Sequence, residues 1–213
     1  MPIEAKTAEE CFKKYEGFLK ELICPILTTQ HIFKIFINDT SGDLRFPRGD
    51  EAISIPVETR LLGTLYLFLR QFLKAKKDES KGKFVLYTTR YFYRLSEIDD
   101  EDREPLVRWE YERRDSEVNV LSCRHHIHIH APISKHTSTN RDWPMRKFYF
   151  PCGWVTIEEV LRFLITDLGF TPLCDQRKGP NEPKEWPVIL AESEKKFYWD
   201  FTPEQKVKGK DRH

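Results

Sequence analysis

Two stretches of the chain carry a helical apolar stripe behind a matched cap. Thr7, Ala8, Glu9 and Glu10 have capping-box spacing, and Phe12, Tyr15, Leu19, Leu22 and Ile23 follow on one side until Pro25. Thr156 to Glu159 repeats the cap. Ile157, Val160, Leu161, Leu164, Ile165 and Leu168 make the second stripe, and Gly169 is its natural stop. Val57 to Lys77 reads as a further helix, with Leu61, Leu62, Leu65, Leu69, Phe72 and Leu73 on its apolar side. Val188 to Phe197 reads as a last one.

Between the helices the period changes to two. His31 to Ile37, Lys83 to Leu95, Leu106 to Arg114, Val118 to Ala131 and Lys147 to Phe150 read as strands. Thr40 to Asp43, Asp78 to Lys83 and Ile98 to Glu104 read as turns. Arg45 to Pro56, Ser134 to Arg146 and Thr171 to Pro187 read as irregular or loop. The short links between the three central strands favour an antiparallel meander. The pattern predicts an α+β fold: an antiparallel sheet of four to five strands with helices packed mainly on one face. No internal boundary stands out, so residues 1–203 are predicted as a single domain and 204–213 as a flexible polar tail.

Composition narrows the field. Basic and acidic residues number 35 and 34, so no general field draws in polyanions, and any nucleic-acid site must rest on local charge. No apolar run is long enough to span a bilayer, and the start lacks the plan of a signal peptide. The five cysteines are scattered without a CxxC pair, which fits a reducing cytoplasm and speaks against a zinc ribbon. Walker, dinucleotide-binding and nucleophile-elbow motifs are absent.

The chemistry concentrates in Arg124-His125-His126-Ile127-His128-Ile129-His130-Ala131. On a strand, Arg124, His126, His128 and His130 share one face, and His125, Ile127, Ile129 and Ala131 the other. This predicts a half-buried strand with a functional outer surface. If the polar faces of neighbouring strands coincide, Glu110 and Arg108 lie beside His126 and His128, with Tyr91 and Tyr93 at hand. That set offers acid–base groups in His126, His128, His130 and Glu110. It offers substrate-binding groups in Arg124, Arg108, Tyr91 and Tyr93.

Three readings of the histidines stay open. One is a divalent metal ion on His126 and His128, with His136 or Glu110 as a further ligand. Three alternate positions span roughly 13 Å at about 3.3 Å per residue, too far for all three to reach one ion. Another is metal-free phosphoester chemistry, with one imidazole as base or nucleophile, another as acid and an arginine on the phosphate. The third is a histidine-rich strand with no task. The functional expectation is a nuclease or phosphodiesterase acting on RNA or a nucleotide. Its alternative is a non-enzymatic metal-binding or protein-interaction module.

Two resemblances bear on this. His126-Ile127-His128-Ile129-His130-Ala131-Pro132 is similar to the histidine-triad pattern, which implies nucleotide hydrolysis or transfer with His128 as nucleophile. From about Lys83 to Phe197, Tyr91 and Tyr93 on one strand, Val107-Arg108-Trp109-Glu110-Tyr111 on the next and then the histidine cluster resemble the order in TumE-like toxins of bacterial toxin–antitoxin modules. The stretch Phe150 to Val160 resembles one found in uncharacterised bacterial proteins. This resemblance implies a nucleic-acid-directed toxin or defence effector, with an antitoxin or other protein as partner.

Overall fold

The computed structural model describes residues 3–28, 34–45, 47–48, 51–52, 54–100, 103–112, 125–129, 149–151, 153–176 and 184–196. The elements run β1 (Glu4–Ala5), α1 (Ala8–Ile23), β2 (Lys34–Asn38), β3 (Ser41–Arg45), β4 (Pro47–Arg48), β5 (Glu51–Ala52), β6 (Ile55–Thr59), β7 (Gly63–Asp78) and β8 (Lys83–Ser96). β9 (Val107–Glu112), β10 (His125–Ile129), β11 (Tyr149–Pro151), α2 (Ile157–Thr166), α3 (Leu173–Gln176) and α4 (Trp186–Lys196) follow.

The capped helices form where the caps place them. The Thr7 side chain accepts from the Glu10 N–H at the start of α1. Thr156 and Glu159 close a reciprocal capping box on α2. The predicted α1 stripe of Phe12, Tyr15, Leu19, Leu22 and Ile23 is buried.

The predicted helix over 57–77 is instead an antiparallel hairpin of β6 and β7, turned at Gly63 with φ +71°. Leu65, Leu67, Leu69, Gln71, Leu73 and Ala75 are all buried, so the working period is two. Leu61 and Leu62, assigned to the apolar side of a helix, sit in the turn at 68% and 54% exposure. The predicted turn at 40–43 is also corrected. The chain turns at Asp39–Thr40, and Ser41 to Arg45 is β3, paired with both β2 and β7. Gly42 is needed there because a Cβ would lie 2.6 Å from Phe12 Cε1 of α1. The stretch read as irregular around 45–56 contains the small β4–β5 hairpin and the start of β6, and the 171–187 loop contains α3.

The sheet therefore has nine strands among the described residues, not four to five. Its order is β11-β10-β9-β8-β7-β3-β2, with β1 also on β8 and β6 also on β7. Every pairing in it is antiparallel. The long β7–β8 hairpin is its spine.

A bulge in this hairpin decides which side chains meet. Phe72 pairs with Arg90 and Leu73 with Thr88, so Thr89 is the extra residue. The bulge reverses the parity of β8. Leu86 and Thr88 are buried before it, and Tyr91, Tyr93 and Leu95 after it.

The helices cover the face so formed. Tyr15 of α1 donates to Gln71, whose amide donates to Tyr93. Phe163 of α2 meets Trp109 edge-on at 5.7 Å, and the Val155 N–H donates to Tyr91 at 3.0 Å. Helices on one face of an antiparallel sheet is the α+β plan expected. Among the described residues no helix is long and apolar enough to cross a membrane.

One buried charge carries a pH signature. Glu158 of α2 is fully buried and accepts from the Ser193 hydroxyl of α4. Burial raises its carboxyl above the usual range, against that hydrogen bond. A group with a raised folded-state pKa favours folding while protonated. Its contribution is complete below the unfolded pKa and is lost as pH climbs through the folded one. Glu158→Gln removes the titration. The variant is expected to gain on wild type as pH rises above the unfolded-state carboxyl value of about 4.3, read by urea unfolding at each pH. A pH-independent offset would show that the carboxyl ionises at no cost to the fold.

Candidate functional site

Strands β9 and β10 place the site by simple alternation. Their antiparallel register sets His126 opposite Glu110 and His128 opposite Arg108, with Trp109 opposite Ile127 on the other face. Neighbours on one face of an antiparallel pair approach to about 5 Å, so these side chains must meet. His126 Nε2 and His128 Nε2 each stand 3.0 Å from the same oxygen, Oε2 of Glu110. The two rings lie 4.7 Å apart at 62°. Arg108 Nε lies 3.0 Å from the other Glu110 oxygen, and its Nη2 lies 3.4 Å from His128 Nε2.

The predicted open outer surface is not found at His128, which is only 5% exposed. Burial holds its pKa below the ordinary histidine value. The Arg108 charge pushes the same way, and Glu110 opposes both. His128 is therefore neutral at pH 7, the form that either accepts a proton or ligates a cation.

Two imidazole nitrogens and one carboxylate oxygen lie within 4.8 Å of one another, so Glu110, His126 and His128 could hold a metal ion. Ligand atoms about 2.1 Å from one ion at right angles would stand roughly 3.0 Å apart, the spacing of both nitrogens from Oε2. Two histidines and one carboxylate suit zinc, or an iron- or manganese-type ion that leaves other positions open.

Tyr91 and Tyr93 do not belong to this set. Their strand pairs them with Tyr111 and Trp109 on the helix-covered face, where both are buried and stacked at 4.6 Å. Phe92, not a tyrosine, stands opposite Glu110. Alternation alone groups Tyr87, Thr89, Tyr91 and Tyr93 as one face; the bulge at Thr89 breaks that group. The phenol oxygens make the face look polar, yet they are satisfied inside the core. His125 follows the predicted apolar side, stacked on Tyr111 at 4.4 Å and 9°. Arg124, His130 and His136 lie outside the described residues.

The flank of the site is what motif-level reasoning overlooks. Arg90, Phe92 and Arg94 share the face of Glu110, Arg108, His126 and His128. Their period-two spacing is the signal in the sequence that points to them. Comparison with protein-family models, with curated proteins and with solved structures gives no match.

Proposed function

We propose that this protein is a phosphodiester hydrolase acting on RNA or a nucleotide, with a divalent ion held by Glu110, His126 and His128. One observation carries the reading: two imidazole nitrogens converge on a single carboxylate oxygen beside a guanidinium. When bound, such an ion would lower the pKa of a water enough for it to attack phosphorus near neutral pH. Glu110, His126 and His128 would hold the ion in place. Arg108 has the geometry to draw a phosphate and to offset charge developing on its oxygens. Water adds at phosphorus, the ester bond breaks, and the leaving oxygen takes a proton. The shared order of a Tyr-x-Tyr strand, the Arg108–Tyr111 strand and a histidine cluster supports a toxin or defence role, with an antitoxin or other protein as partner.

The test is turnover. Protein purified without a histidine tag is expected to carry about one zinc, manganese or iron per chain by elemental analysis. It is expected to cleave single-stranded RNA or a nucleotide diester, and chelation should stop it. Activity that survives chelation in ion-free protein would assign His126 and His128 to proton transfer instead. A bound ion with no turnover of any nucleic acid or nucleotide would favour a non-enzymatic ion-binding module, a reading that the burial of His128 supports.

A further inference from the structure

The sheet face that carries His126 and His128 continues across β9, β8 and β7. Register sets Phe68, Arg94 and Arg108 in the row of His128, and Arg70, Phe92 and Glu110 in the row of His126. Phe72 and Arg90 make the next row. Cation and ring thus alternate along β7 and β8 and also between them. Arg90 Cζ lies 4.2 Å from the Phe92 centroid and 5.8 Å from that of Phe72. Arg70 lies 4.7 Å from Phe72, and Arg94 5.3 Å from Phe68. Arg70, Phe72, Arg90, Phe92 and Arg94 are half-buried, so part of each faces outward.

The charge on these rows is unbalanced although that of the chain is not. Lys34, Arg70, Arg90, Arg94 and Arg108 stand against Asp43 and Glu110. Arg45 and Glu112, of opposite sign, are the other charged residues at register positions in these rows. Arg70 is bonded to Asp43 at 3.1 and 2.9 Å, Arg108 is paired with Glu110, and Arg94 donates to the Arg103 carbonyl; by formal charge the rows stay positive.

We infer that this face binds single-stranded nucleic acid and leads it to the Glu110 site. The inference rests on the hydrolase reading for what happens at that end. An acidic peptide would need only the charge. The interleaved rings and flat guanidiniums add stacking surface, which exposed bases use and carboxylates do not. A duplex hides its base faces and loses that part of the binding.

The test uses the full chain in chelator, so that no strand is cut, with fluorescently labelled single-stranded RNA, single-stranded DNA and duplex of one length. Wild type is expected to bind single strands at least tenfold more tightly than duplex, and the RNA and DNA arms show which sugar is preferred. Arg90→Glu is expected to weaken binding at least tenfold. It should also reduce the slope of log affinity against log salt by about 0.7 for each phosphate that is no longer neutralised. Arg90→Lys keeps the charge and the fold, so it should keep the slope and lose only the stacking share. Hydrolysis of a small diester such as bis(p-nitrophenyl) phosphate needs only the Glu110 site and should be unchanged in both variants.

Equal affinity for duplex, no binding of any single strand, or displacement by poly-glutamate as readily as by unlabelled oligonucleotide would each overturn the inference. The last would make the occupant an acidic protein. Arg90-dependent binding without hydrolysis of any substrate keeps this face and removes the hydrolase reading. Hydrolysis of the small diester without strand binding does the reverse.

Discussion

Glu110→Gln is expected to abolish ion binding and turnover while leaving the protein folded. The amide keeps the shape of the carboxylate but not its charge, and one of its two acceptor oxygens is replaced by an NH2 group that can only donate. Both imidazoles lose the anionic oxygen they share, at 3.0 Å from each. Loss of a supporting group alone costs roughly 10–100-fold in metal affinity, so removal of a ligand should cost at least about a hundredfold. Hydrolysis should fall by at least as much. The stability cost is smaller, about 1 kcal/mol, because the Arg108 side chain it leaves behind is 32% exposed and partly solvated. His125→Phe is the control. His125 lies on the same strand but on the opposite face, half-buried and stacked on Tyr111, so this variant should keep its ion and its activity. Titration with zinc and manganese followed by a turnover assay reads both. Ion loss in His125→Phe with retention in Glu110→Gln would place the site on the wrong face of β10.

Leu67→Ala is expected to cost roughly 2–5 kcal/mol, a large share of the total stability of a domain of this kind. Leu67 is fully buried on β7 and pairs with Ile55 and Leu95 across its two edges. Leu61→Ala and Leu62→Ala should each change stability by less than about 0.5 kcal/mol, as at ordinary surface positions. A helix over 57–77 would reverse the order, since Leu61 and Leu62 would then lie on its buried side. Urea midpoints of the three variants decide between the two. A silent Leu67→Ala would contradict the β7 alternation and with it the register that carries Arg70 and Phe72 to the outer face.

Near-neighbour features were legible in the sequence because near neighbours determine them. The caps at Thr7 and Thr156 and the turn at 78–83 depend on residues a few positions apart, and the meander from β8 through β9 to β10 pairs strands that follow one another along the chain. The pairing of the histidine strand with Glu110 and Arg108 follows from two alternating strands meeting face to face. The 57–77 segment was not legible. Leu65, Leu69 and Leu73 recur every fourth residue, and both a helix and a strand bring positions i and i+4 to one side. Gln71 broke the apolar alternation that would have told them apart; it is buried because Tyr15 and Tyr93 satisfy its amide.

The sequence by itself determined which residues could do chemistry and that they alternate on strands. Side-chain type and local periodicity are properties of the chain. The tertiary structure decided which face each residue took and how closely the groups converged. A single extra residue at Thr89 turns the tyrosines inward and brings Phe92 and two arginines out. The burial that keeps His128 neutral, and the meeting of two imidazoles on one carboxylate oxygen, belong to the packed sheet. Both arise where strands distant in the chain pack together, which no local pattern encodes.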